Sequence, residues 1–195
     1  MEEIKVMDMD PYKKHVLVLD EINECLSRVD SEQVDEMIDF ILTSEKIILV
    51  GAGRMGLMLQ TFSARLNHLG IPAFIAGTIG CPPIGEGDLL LVASSSGETA
   101  TVREIARIAH KQHAKIFTIT ANTTSTIAGI SNKILYLQAP ASLHADQGDS
   151  LTSKQPMKTL FEQSLFVLLE SLVLSLMDRT GQKAENLSKR HANLE

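Results

Sequence analysis

The sequence predicts an α/β fold. It reads as a three-layer sandwich around a five-stranded parallel, doubly wound sheet, with an N-terminal helical hairpin and a long C-terminal helix. Three features carry this prediction. Short apolar runs alternate with helix-period patterns from residue 46 onward, as in repeated βα units. Two of the runs end in glycine-bearing turns that open helices. The length, 195 residues, suits a single domain (1–195) able to bury a sizeable core.

The first forty residues read as helices spanning about 12–43. Leu19, Ile22, Leu26 and Val29 form one apolar stripe. Val34, Met37, Ile38, Ile41 and Leu42 form a second at helical spacing. Asp30 followed by Gln33 resembles a capping signal between them. Such a hairpin would cover the sheet or reach a partner subunit.

Five apolar runs follow, at 46–50, 72–76, 89–93, 115–119 and 133–137, giving a sheet core of about 46–137. Near-continuous apolar runs suit strands buried on both faces of a parallel sheet. Between the first two, Met55, Met58, Leu59, Phe62, Leu66 and Leu69 make a helical stripe that Gly70 and Pro72 close. Between the third and fourth, Val102, Ile105, Ala106 and Ala109 make another. Right-handed crossovers then favour the strand order 2-1-3-4-5. Residues 138–156 are polar and read as a long loop. The last helix, about 157–178, is apolar round most of its circumference, so it needs cover from several sides, another subunit included.

Composition excludes several functions. The chain holds 18 Lys plus Arg against 24 Asp plus Glu, a net charge of −6, which is poor for gripping nucleic acid. The acidic N-terminus has no secretory core. The apolar stretch 165–177 is too short to span a bilayer, and Glu170 interrupts it. Cys25 and Cys81 form no CxxC pair and read as reduced thiols of a cytoplasmic protein.

Two glycine turns can carry chemistry. Gly51-Ala52-Gly53-Arg54-Met55-Gly56 follows a strand and opens a helix, the context of an anion-binding turn. A dinucleotide site would want an acid ending the second strand, which instead reads Phe74-Ile75-Ala76-Gly77-Thr78. The turn is therefore structural, or it approaches another phosphate ester. Ser94-Ser95-Ser96-Gly97-Glu98-Thr99 after the third strand sets hydroxyls beside backbone N–H groups, a cradle for one phosphate. A serine-rich loop with an ordinary N-cap is the plainer alternative. The segment 120–126 leaves the fourth strand on the same edge and would add polar contacts or simple capping.

These segments carry a family resemblance. GAGRMG at 51–56, SSSGET at 94–99 and ITANTTST at 119–126 resemble SIS (sugar isomerase) domains. ARLNHLG at 64–70, PPIGEGDLL at 82–90, QPMKTLFEQ at 155–163 and RHANLE at 190–195 are similar to the 6-phospho-3-hexuloisomerase branch. The resemblance runs from about residue 10 to 195. It implies interconversion of D-arabino-hex-3-ulose 6-phosphate and D-fructose 6-phosphate by a homotetramer that needs no cofactor. It also implies a phosphorylated ketohexose substrate and a hexulose-phosphate synthase as functional partner, in formaldehyde fixation or detoxification.

The same resemblance assigns residues. Ser94, Ser96 and Thr99 would bind the phosphate, with Ser95 and Gly97 giving backbone contacts. Gly53 and Arg54 would line the pocket. Glu162 aligns with a catalytic carboxylate, and His191 with a histidine that reaches a neighbour's site. His68 is a second candidate for moving the oxygen proton, and Glu98 is a first-turn helix acid or a substrate contact. Each has a plainer reading: Glu162 as a helix N-terminal acid, His191 as a solvated tail residue, His68 as structural. The chain departs from the family pattern at Met55, at Thr78-Ile79-Gly80-Cys81 and at Pro156-Met157-Lys158. A pentose-phosphate isomerase and a non-catalytic sugar-phosphate sensor remain the alternatives. Sensors of this fold are normally joined to a DNA-binding segment, whereas the residues up to 45 are acidic overall.

Overall fold

The computed structural model describes residues 10–140 and 151–193. The first helix, α1 (Pro11–Ser27), starts at Asp10, whose carboxylate accepts the Tyr12 N–H. Proline at the first helical position forfeits no hydrogen bond, since that N–H is unpaired in any helix. α2 (Ser31–Leu42) is capped by Asp30 through the Glu32 N–H. Gln33 takes no part in the cap. Its side-chain oxygen accepts the Tyr136 N–H at 2.8 Å, so α2 shields a backbone donor of the outermost strand.

The remaining elements alternate. β1 (Ile47–Gly51) leads into α3 (Arg54–His68) and β2 (Ala73–Ile75). β3 (Leu89–Ala93), α4 (Ala100–Lys111), β4 (Lys115–Thr120) and β5 (Lys133–Tyr136) follow. α5 (Thr159–Thr180) and α6 (Ala184–Lys189) close the chain. The sheet has five parallel strands in the order β2-β1-β3-β4-β5, as the sequence predicts. β2 is only three residues long. Ser63 and Asn67 of α3 donate to its Ala73 carbonyl, so helix side chains satisfy an edge group that no strand reaches. The long-loop expectation for 138–156 is only partly visible, because 141–150 lie outside the described residues.

Both faces of the sheet are buried, which explains why the strands read as unbroken apolar runs. Ile47, Leu49, Leu91, Phe117 and Ile119 pack beneath α1, α2, α3 and α5. Ile48, Val50, Leu90, Val92 and Ile116 pack against Val102, Ala106 and Ala109 of α4. Leu160, Phe161, Leu165, Leu169, Leu172 and Leu176 of α5 are buried within the chain's own core. The helix therefore finds most of its cover without a second subunit, while Phe166, Val167 and Leu174 stay at the surface. At 22 residues it is longer than the apolar stretch read from sequence, and its length and hydropathy are those of a membrane span. Half of that window is buried inside the fold, as suits a core helix. Gly181, at φ +64, ends it in a left-handed turn.

α3 and α5 run side by side in the same direction. Arg54 meets Glu162 at one end, and Arg65 meets Glu170 at 3.4 Å further along. This alignment brings the first turns of both helices to the sheet edge where β1 ends.

Candidate active site

β1 and β3 are neighbours whose crossovers leave toward opposite ends of the sheet, so their C-terminal ends form a switch-point crevice. Their registers match from Ile47↔Leu89 to Gly51↔Ala93, so both strands end level. The two glycine turns named from the sequence therefore emerge side by side.

The first turn is built by close packing. A Cβ on Gly56 would fall 2.7 Å from the Gly51 carbonyl oxygen, so only glycine lets α3 start this near its strand. Gly53, at φ +58, is the N-cap of α3. Arg54 follows at the first position, and its guanidinium is exposed. Met55 is buried in the core, so the departure noted there places no side chain in the crevice.

The second turn is more polar. Ser94 Oγ accepts the Gly97 N–H at 3.1 Å, and Ser96 Oγ accepts the Glu98 N–H at 3.3 Å. Thr99 takes the N-cap position of α4, yet its hydroxyl makes no cap bond. Ser95 Oγ is fully buried with no hydrogen-bond partner. At 0% exposure that hydroxyl lies inside the turn, so a bound anion would meet the turn's backbone and the less buried Ser96 and Thr99. Gly97 is at φ +62, and a Cβ there would overlap the Ser125 side chain. The loop is thus held in a conformation only glycine fits.

The segment after β4 holds this turn from behind. Asn122 Nδ2 donates to the Ser96 carbonyl at 3.2 Å, the Ala121 N–H to Ser95 and the Ile127 N–H to Gly97. Glu98, named from the sequence as a first-turn helix acid or a substrate contact, is not in the first turn of α4: it precedes the N-cap Thr99 and is engaged here. Its carboxylate accepts the Thr126 N–H at 2.6 Å and the Thr126 hydroxyl at 2.9 Å, with Arg103 at 3.2 Å. The Thr126 N–H first, then its hydroxyl, hold the Glu98 carboxyl below the usual carboxylate range. The sequence shows 120–126 as a polar segment without showing what it holds. Its partners lie more than 20 residues away in sequence, beyond any local pattern.

Glu162 occupies the first turn of α5, with 13% of its side chain exposed. Its Oε2 lies 2.6 Å from Arg54 Nε. The structure thus brings Gly53, Arg54 and Glu162 together, with Ser94, Ser95, Ser96, Gly97 and Thr99 on the adjoining strand end. It does not bring His68 or His191 to them. These rings stack on each other, 5.1 Å between centroids, at the far end of α3. The rise from Arg54 to His68 is about 21 Å at ~1.5 Å per residue. Arg190 fixes the tail there, donating to the His68 carbonyl at 3.0 Å and to Gln182 Oε1 at 2.9 Å. A cavity of about 220 Å³ adjoins the pair, between Arg65, Met177 and Leu187. Among the described residues, no three His, Cys, Asp or Glu converge as a metal site. Cys25 and Cys81 are free thiols, and burial pushes the Cys25 thiol up.

The SIS domain family profile matches residues 40–167. The chain is 40% identical to a 3-hexulose-6-phosphate isomerase of Mycobacterium gastri, over 98% of this chain and 95% of that one. It is 36% identical to the Bacillus subtilis protein of the same name, over 91% and 95%. A crystal structure from Methanococcus jannaschii, for which a 3-hexulose-6-phosphate isomerase function is inferred, superposes with a TM-score of 0.81. The two chains are 26% identical, with 94% and 99% covered.

Two outcomes follow from the loop geometry. Gly97→Ala forces the loop away from Ser125 and should weaken binding of a ketose 6-phosphate by about tenfold, read by calorimetry. For Glu98, a lowered folded-state value means its hydrogen bonds stabilise fully above the ordinary carboxylate value of about 4.3. That contribution is lost as pH falls through the lower folded value. Glu98→Gln should therefore reduce Tm at pH 7, and the gap to wild type should close below about pH 4.

Proposed function

From the premise that this chain belongs to the SIS domain family, we propose that it is a 3-hexulose-6-phosphate isomerase. It interconverts D-arabino-hex-3-ulose 6-phosphate and D-fructose 6-phosphate. Similarity to the named isomerases along nearly the whole chain supports the substrate. The observation that carries the chemistry is the Glu162 carboxylate, partly buried and held by Arg54 where two helices begin.

Moving a carbonyl from C3 to C2 needs no net redox change. Glu162 removes the proton on C2, a 2,3-enediolate forms, and the same carboxyl returns the proton to C3. One carboxylate serves because the two carbons are adjacent. The Arg54 guanidinium, exposed beside it, faces the negative oxygen of the enediolate. The phosphate sits on the Ser94–Thr99 turn, where the Ser96 and Thr99 hydroxyls, the backbone of Ser95 and Gly97 and the first turn of α4 offer donors. The proton exchanged between O2 and O3 passes through an imidazole. His191 cannot supply it within its own chain, so the neighbouring subunit's His191 does, with His68 beside it.

The assembly is a homotetramer. The apolar surface left by Phe166, Val167 and Leu174 supports it, as does a groove of about 630 Å³ between α1, α2 and α5 lined by Val29, Val34 and Ile38. Two free cysteines suit a cytoplasmic enzyme working beside a hexulose-phosphate synthase.

A coupled assay tests the reaction. Hexulose 6-phosphate is made in situ from formaldehyde and ribulose 5-phosphate, and fructose 6-phosphate is read out through NADPH. Wild type should turn over, and Glu162→Gln should lose at least about 100-fold in kcat. No product, with sugar phosphates still raising Tm, would favour a pentose-phosphate isomerase or a sensor. The shared site has its own check. Co-refolding Glu162→Gln with His191→Ala should restore turnover that neither variant has alone, because mixed oligomers hold sites with both native groups. Two inactive parents giving an inactive mixture would exclude donation between subunits.

A further inference from the structure

Glu21 lies on α1, outside the elements that form the crevice. Its carboxylate accepts three hydrogen bonds from one short segment: Ser153 Oγ–H at 2.6 Å, the Lys154 N–H at 2.8 Å and Gln155 Nε2 at 3.0 Å. Ser153 Oγ in turn accepts the Gln155 N–H at 3.0 Å, and Leu151 is buried in the core. Residues 153–155 are therefore clamped to α1 by one backbone N–H and two side chains.

α5 begins at Thr159, immediately after Pro156, Met157 and Lys158, and carries Glu162 in its first turn. Met157 has φ +58, a left-handed backbone that an L side chain rarely adopts. Its side chain is exposed, so packing around it does not impose that conformation. Such strain persists only where the surroundings over-determine the backbone, and it gathers at functional sites. Downstream, α5 is packed into the core, and the Thr159 hydroxyl bonds the Pro156 carbonyl at 2.6 Å. Upstream, the constraint is Glu21.

We propose that Glu21 is a positioning residue for the isomerisation: by clamping residues 153–155 to α1 it fixes the left-handed turn at Met157, and so sets where the Glu162 carboxylate stands against Arg54. This rests on Glu162 being the base. A carboxylate has acceptor sites for all three donors, whereas glutamine would turn an NH2 toward at least one of them. The phosphate turn hangs on β3 and β4, which the clamp does not touch, so binding and turnover should separate.

Steady-state kinetics of Glu21→Ala and Glu21→Gln, each in wild-type and Glu162→Gln backgrounds, test the assignment. In the wild-type background Glu21→Ala should lower kcat about tenfold or more while KM stays within about twofold. Glu21→Gln should fall between, and it carries the test should Glu21→Ala not fold. Once the base is gone, the same change should cost less than about twofold. A folded Glu21→Ala with normal kcat, a raised KM alone, or an equal loss in both backgrounds would overturn the clamp. Normal turnover of Glu162→Gln would remove the base and the clamp with it. An impaired Glu162→Gln beside a normal Glu21→Ala would remove only the clamp.

Discussion

The level ending of β1 and β3 is the constraint on which the rest depends. Gly51 faces Ala93 across the pair, so each strand releases its turn at the same height. One crossover then runs to each side of the sheet, and the gap between them cannot be filled by a connection. Burial sets that register. Ile47, Leu49, Leu89 and Leu91 face one core, while Ile48, Val50, Leu90 and Val92 face the other. A one-residue slip would exchange the two sets and break both layers. The position of the crevice is thus a consequence of packing, and the site inherits the rigidity of the sheet beneath it.

Onto this frame the chain adds charge and hydroxyl groups that the core does not need. Three helices, α3, α4 and α5, contribute their first turns, where N–H groups lack partners and the potential is positive. Anions are favoured at such places, and two kinds fit here: a ligand's phosphate beside α4 and the Glu162 carboxylate of α5. Arg54 ties the carboxylate to α3, so the acid is oriented by an ion pair as well as by its own helix. The segment after β4 spends its polar groups on the backbone of residues 95–97, which keeps that turn in shape.

Much of this was legible in the sequence. The elements, the glycine turns and the apolar helix faces follow from unbroken apolar runs, the 3.6 period and turn chemistry, which need only neighbouring residues, and the strand order follows from the handedness of the crossovers between them. What stayed hidden depends on long-range pairing. Gln33 looked like half of a capping box but serves Tyr136, 103 residues away. Glu98 reads from sequence as a first-turn helix acid or a substrate contact but lies before the helix and is engaged by Thr126. The extent to which α5 is covered by its own chain could not be read from an apolar circumference, since composition does not say which neighbour supplies the cover. Glu21 carried no signal at all, being one acid on a helix surface until the chain returns to it at residue 153.

The two histidines stand apart from this crevice. His68 ends the helix that Arg54 begins, and a straight α-helix of 15 residues cannot bring its own ends together. The tail that holds His191 is fastened to that far end by Arg190, Gln182 and the ring stack, so it is not poised to swing back along the chain. If an imidazole takes part in the oxygen-to-oxygen proton transfer, it must come from another copy. Assembly would then be part of the chemistry, and a folded monomer would hold the Glu162 carboxylate and the 94–99 turn without a partner for the proton. The same anchoring that removes His191 from its own crevice presents it, with His68, at a fixed place on the surface. Fixed placement of this kind suits a group offered to a second subunit, because orientation at the donor helix carries over to the acceptor site.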